Sequence, residues 1–200
     1  LFQASFRISR QIRYNTGIER SLNGLGNVEA ELGNFRLSVY FLDQAIRFAR
    51  QLPDSGRSLP FLYNNLATTY ANWADHKEAL KYYEMTIAVS ERYPEAAFPA
   101  EAVYTNIGYL LNNAGQYEKA LFYLHKGVIA AWRKGDFRVQ ALLYTHMGSA
   151  YLGRQVWDSA ALYYKLALSE SILIKANYIT HLACKGLADL ALKQGQPELA

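Results

Sequence analysis

One cysteine, Cys184, is too few for an internal disulfide, and no uninterrupted apolar run is long enough to span a bilayer. No glycine- or serine-rich linker divides the 200 residues. The equipment of a catalyst is missing as well. Four histidines, His76, His125, His146 and His181, have no metal-ligand spacing, and no carboxylate pair or cysteine cluster completes one. Gly24-Leu25-Gly26 has the wrong continuation for a phosphate-cradling loop and lies inside a helical pattern, and no serine or cysteine stands in a nucleophile motif. The expectation is a segment without catalytic residues, metal or cofactor. A net charge of +4 hints at an anionic partner, part of it in Arg7, Arg10, Arg13 and Arg20 against Glu19. No groove-reading motif accompanies them, so these charges read as a solvated helix face, and neither nucleic acid nor membrane insertion is expected. The lone thiol leaves the compartment open, cytoplasm or periplasm.

What the chain does have is repetition. Tyr63-Asn64-Asn65-Leu66-Ala67-Thr68-Thr69-Tyr70 returns as Tyr104-Thr105-Asn106-Ile107-Gly108-Tyr109-Leu110-Leu111 and as Tyr144-Thr145-His146-Met147-Gly148-Ser149-Ala150-Tyr151, at spacings of 41 and 40 residues. Ala79, Ala120 and Ala160 are each followed four residues later by Tyr83, Leu124 and Tyr164. A unit with two such helical patterns, recurring at a fixed period, is one supersecondary structure stacked on itself. Offsets of three, four and seven put Tyr63, Leu66, Ala67 and Tyr70 on one helical face, which must be buried. Gly26, Ala67, Gly108, Gly148 and Ala188 fall where the two helices of a unit cross, with Ala79, Ala120 or Ala160 opposite. Asp75 with Glu78 reads as a capping box, Gly135 before Asp136 as a stop and an N-cap, and Pro99 and Pro197 as first-turn prolines.

The expected organisation is a second helix over 1–16, full helix pairs over 18–52, 60–93, 99–134 and 137–174, and a further first helix over 181–200. Both ends then fall inside a repeat, so the sequence is expected to be part of a longer protein, and the unpaired stripes at its ends are expected to allow self-association. Cys184, Leu187 and Ala188 are expected on the buried stripe of the last copy, which makes the thiol a packed one. Most of the 16 tyrosines fall on the repeat stripe or in a ladder of second-helix positions, Phe41, Tyr82, Tyr123 and Tyr163. That ladder is expected to pack between successive units.

These positions resemble the tetratricopeptide repeat family, with Tyr144, Met147, Gly148, Tyr151, Ala160 and Tyr164 fitting its pattern at every place. The period is about six residues longer than usual, and the closing proline is represented only by Pro53 and Pro94. The resemblance implies an all-α, right-handed superhelical solenoid of antiparallel helix pairs. Longer repeats of this kind are familiar from bacterial signalling regulators and kinesin light chains. It also implies that first helices line a concave groove, into which the positions beside the buried stripe point. Those are Arg20, Asn23 and Asn27 on one helix, Asn64, Asn65, Thr68 and Asn72 on the next, then Thr105, Asn106, Tyr109 and Asn113, Thr145, His146 and Ser149, and Lys185 and Asp189. An asparagine amide both donates and accepts, so Asn65 and Asn106 at equivalent positions suit the backbone of an extended peptide. The carboxylate clamp of chaperone-binding relatives is disfavoured, because Asn23, Ala102 and Asn106 stand where its cations are expected. The expected function is therefore a non-enzymatic scaffold that binds a peptide or protein segment, serving as the sensing or regulatory part of a larger bacterial signal-transduction or transcription-regulatory protein. The alternative is a structural adaptor in a stable assembly.

Overall fold

The computed structural model describes residues 1–12, 14–52 and 55–195, leaving aside the side chains of residues 55, 56 and 96. The roles expected of Arg13, Pro53, Pro197 and the last residues to Ala200 lie outside the described residues. Among the described residues the secondary structure is helical throughout, with no strand. The helices are α1 (Phe2–Gln11), α2 (Asn15–Glu31), α3 (Phe35–Ala49), α4 (Ser55–Asn72), α5 (His76–Arg92), α6 (Ala100–Asn113), α7 (Tyr117–Lys134), α8 (Phe137–Gly153), α9 (Trp157–Leu173) and α10 (Asn177–Lys193), with a short 3-10 turn at Pro94–Ala96. They form two compact units, Leu1–Phe98 and Pro99–Ala200.

Several boundaries differ from the sequence reading. α1 ends at Gln11, and Asn15 and Thr16 already belong to α2. α4 begins at Ser55, five residues before the expected start at 60, because Pro60 is accommodated inside the helix. α10 begins at Asn177 rather than 181. Pro99 is the residue before the first turn of α6. Asp75 accepts from the Glu78 N–H at 3.2 Å, but the Glu78 carboxylate turns to Lys81 at 2.7 Å, so the capping box is half formed. The Asp136 cap forms, accepting from Val139 at 3.0 Å.

Every hairpin turn uses the same stop. The second residue past the helix end is left-handed, and the next N–H reaches back five residues: Asn34 to Glu29, Asp75 to Tyr70, Gln116 to Leu111 and Val156 to Tyr151, at 2.8 to 3.0 Å. Glycine fills that left-handed place at Gly33 and Gly115, whereas Ala74 (φ 63°) and Gln155 (φ 60°) occupy it at a steric cost.

In the first unit, α2 packs on α3 and α4 on α5, around Leu22, Leu42, Ala45, Leu62 and Leu66. α1 covers the start of this stack. Its Phe6 packs on that core and its Phe2 lies over Gly24, leaving Ile8 exposed, so its apolar stripe is largely partnered. In the second unit, α6 packs on α7 and α8 on α9, with α10 against α8 and α9; Val103, Ile107, Leu124, Leu143 and Met147 are fully buried.

The close crossings occur at the expected glycines, one turn away from the expected partners. A Cβ on Gly26 would meet Leu42 at 2.7 Å, one on Gly148 would meet the Tyr164 ring at 2.7 Å, and one on Gly108 would run into Leu124. These partners follow Ser38, Ala160 and Ala120 by four residues.

The stacked and tilted ring partners of the tyrosine ladder lie within a helix pair, while Phe41 and Tyr82 also pack on the core shared by α3 and α4. Tyr82 stacks on Tyr70 at 5.6 Å with planes 2° apart and also faces Tyr63. Tyr163 repeats this with Tyr151, at 5.3 Å and 3°, and with Tyr144. Trp73 extends the first stack, lying 6.3 Å from Tyr70 and 6.4 Å from Phe35.

Cys184 is exposed, contrary to expectation. α10 packs mainly on α8 and α9, its buried stripe is Ile179, Ala183, Gly186 and Leu190, and Cys184 lies off that stripe.

Candidate binding groove

In the second unit the first helices α6, α8 and α10 enclose a groove of about 470 Å³. Its walls are Tyr109, Asn112 and Asn113 from α6, Leu142, Thr145, His146 and Ser149 from α8, and Tyr178, Leu182, Lys185 and Asp189 from α10, with Tyr164 of α9 at the floor. Seven residues picked out in the sequence meet here: Tyr109, Asn113, Thr145, His146, Ser149, Lys185 and Asp189.

The side chains are not equivalent. Tyr109 is exposed and lies 5.6 Å from the His146 ring. Burial pushes the pKa of His146 down to about 4, so the ring is neutral at pH 7. Burial also raises the Tyr164 phenol to about 12, against the hydrogen bond with Ser149 that favours its anion and with the Asp189 charge adding to the rise. Thr145 reaches the groove but is buried, and its hydroxyl donates to the Ala141 carbonyl at 3.0 Å. Thr105 is committed in the same way, to Glu101 at 2.7 Å. A threonine at this helix position is satisfied by its own preceding turn, which makes both poor groove ligands.

Sequence reasoning missed Asn112. Its Nδ2 donates to the His146 carbonyl at 2.8 Å, tying α6 to α8, while its buried Oδ1 has no partner. The adjacent Asn113, which is exposed, was the residue the repeat pattern singled out.

In the first unit the Asn65 amide donates to Asn23 Oδ1 at 2.9 Å, a bond from α4 to α2. Asn64 is buried with its Oδ1 unpartnered, and Thr68 donates to the Asn64 carbonyl at 3.0 Å and lies 3.2 Å from the Tyr83 hydroxyl. Asn27 and Asn72 are exposed, and Asn106 is half-buried. Among the described residues no group of three or more His, Cys, Asp or Glu side chains could hold a metal ion, and no helix is long and apolar enough to cross a membrane.

Comparison with known proteins places this architecture. A tonsoku-like protein of Bos taurus is 25% identical over 132 residues, which is 66% of this chain and 9% of that protein. Among solved structures, BtubC (BKLC) of P. vanneervenii superposes with a TM-score of 0.80 at 19% identity, over 100% of this chain and 84% of that one. The apo form of RapI gives 0.81 at 15% identity, over 97% and 54%. The Rap conjugation gene regulator of plasmid pLS20, solved with the Phr* peptide, gives 0.70 at 15% identity, over 95% and 51%. The present chain thus spans about half the length of these Rap structures, and identities this low establish the shared helical-repeat fold alone. The family itself is established by the tetratricopeptide repeat matches at residues 17–92 and 101–128, just over half of the sequence: the chain belongs to the tetratricopeptide repeat family.

Proposed function

We propose that the second unit binds an extended peptide or protein segment along the groove of α6, α8 and α10, and that the chain acts without chemistry of its own. The observation carrying this reading is the groove itself. It combines an aromatic wall, Tyr109 and Tyr178, with amide, ammonium and carboxylate groups from three successive first helices, the mixture that grips a backbone while accommodating side chains. The buried Asn112 Oδ1 adds an unused acceptor beside it. His146, Ser149 and Asp189 share the groove but do not form a relay. The Ser149 hydroxyl is engaged with Tyr164, burial alone displaces the His146 pKa, and Asp189 acts on Tyr164.

Asn65, held by Asn23, and Asn106 serve as amides on the first helices of their own units. The role of the whole is that of a sensing or regulatory segment in a larger bacterial signalling protein. Likeness to Rap proteins, one of them solved with a peptide, supports it.

A structural adaptor is the second reading. The outer face of α7 favours it, where Phe122, Ile129 and Trp132 stand exposed on one stripe with Lys126 over the Phe122 ring at 4.4 Å.

The test is selection from a displayed peptide library, followed by affinity measurement on a Tyr109→Ala/Asn113→Ala variant. Loss of an aromatic contact and an amide bond should weaken selected peptides by about tenfold or more, with helicity unchanged. Peptides that bind the variant as tightly as the parent would refute the groove assignment.

A further inference from the structure

The outer side of α7 carries a combination that the second helices α3, α5 and α9 lack. Phe122, His125, Ile129 and Trp132 follow one another at offsets of three, four and three, the spacing of a seam that a second helix can fill. All four are exposed, Phe122, Ile129 and Trp132 to 57, 52 and 70%. Beside the seam Lys119, Lys126 and Arg133 recur every seventh residue, so they form a basic row along one edge. These cations are exposed, and none makes an ion pair among the described residues. The other edge belongs to the fold, with Leu121 buried and Val128 half-buried.

The repeat itself does not require such a face. Aligned on Ser38, Ala79, Ala120 and Ala160, Ile129 and Trp132 correspond to Arg47 and Arg50 in α3 and to Ala88 and Glu91 in α5. In α9, Leu166 and Leu173 stand where Lys126 and Arg133 do. Exposed aromatic and aliphatic side chains that the solenoid does not use for packing mark a contact surface. From Phe122 to Trp132 it runs about 15 Å, three turns of a helix. Charge selects the occupant. An antiparallel second copy would set one basic row against another, whereas a helix with carboxylates beside its apolar edge neutralises the row as it covers the seam. The heptad register favours a helix over a lipid surface, which has none to match.

We propose that the outer face of α7 docks an acidic amphipathic helix of a partner protein, its apolar edge on Phe122, Ile129 and Trp132 and its carboxylates against Lys119, Lys126 and Arg133. This gives the adaptor reading a partner of stated chemistry and rests on that reading; it is independent of the groove of α6, α8 and α10.

Three fluorophore-labelled synthetic helices test it by anisotropy on the full chain. Each has three heptads with leucine at the first and fourth positions, and Glu, Gln or Lys at the positions flanking the leucines. The Glu helix should bind about tenfold or more tighter than the Lys helix, with the difference shrinking in high salt. Lys119→Glu/Lys126→Glu should reverse that order, and Trp132→Ala should weaken the Glu helix by about tenfold, both with circular dichroism unchanged because these side chains are exposed. A Glu helix that binds no better than the other two, or that the charge-reversed variant still prefers, would overturn the proposal. So would vesicles of equimolar phosphatidylserine and phosphatidylcholine that bind more tightly than the Glu helix and are lost in Trp132→Ala, which assigns the face to a membrane. A dimer in light scattering that Ile129→Glu dissolves would also overturn it, by assigning the face to a second copy. Preference for the Gln or Lys helix leaves the adaptor reading standing without this partner, whereas absence of all three kinds of binding removes both.

Discussion

Gly186→Ala is a sharp test of the packing in the second unit. Gly186 lies on α10 against the ring of Tyr164, and a Cβ there would fall inside the contact shell of ring atoms Cε1 and Cζ. The same ring is also met by α8, where a Cβ added at Gly148 would sit 2.7 Å from Cδ1, and Tyr164 is 3% exposed. Overpacking costs about 1–3 kcal/mol, and replacing a helical glycine by alanine returns roughly 1 kcal/mol. Because the obstacle is a rigid, buried ring rather than the end of a flexible chain, the clash lies in the upper half of its range and the net loss is about 1–2 kcal/mol. In a chain of this size that lowers Tm by about 2–8 °C. Thermal and urea unfolding followed by far-UV circular dichroism measure it. Tyr164→Leu, which places at this site the residue found at the equivalent Leu124, should couple to Gly186→Ala by about 1 kcal/mol in a double-mutant cycle. A Gly186→Ala protein as stable as its parent would show that α9 and α10 do not meet as described.

Two further outcomes follow from geometry. Ala74→Gly and Gln155→Gly relieve left-handed backbone at two hairpin stops, so each should raise stability by about 0.5–1 kcal/mol, net of the entropy glycine adds to the unfolded chain, in the same urea experiment. His146, with its folded pKa lowered to about 4, stays neutral where the unfolded chain takes up a proton. Stability present above pH 6.5 should therefore fall by about 2 kcal/mol as the pH drops toward 4, allowing for the water that reaches the half-buried ring, and His146→Gln should flatten that slope.

The repeat offsets were enough to locate the helix pairs and the close crossings, because a buried stripe and a small residue recur in sequence wherever they recur in space. They could not reveal Gly186, which lies two residues out of register with Gly108 and Gly148. α10 packs on α8 and α9 through Ile179, Ala183, Gly186 and Leu190, a stripe that leaves Cys184 exposed. Nor could they reveal Asn112. Position in a repeat tells which face a side chain leaves from, not that an amide will reach across to the carbonyl of His146 on the next helix. Thr105 and Thr145 show the complementary limit, since a hydroxyl can donate to its own helix without any trace in the pattern.

The stack that Trp73 makes with Tyr70 and Phe35, joined through Tyr70 to Tyr82, gives the first unit its own optical signature. Trp73 is the sole tryptophan between Leu1 and Phe98, whereas Trp132 and Trp157 both fall in the second unit. Light absorbed by Tyr70 and Tyr82 passes to Trp73 at these separations. In a Trp132→Phe/Trp157→Phe protein, tryptophan emission would report opening of the first unit alone, while circular dichroism reported both. Any difference between the two melting curves would then measure how independently the units unfold, with no label added to the chain.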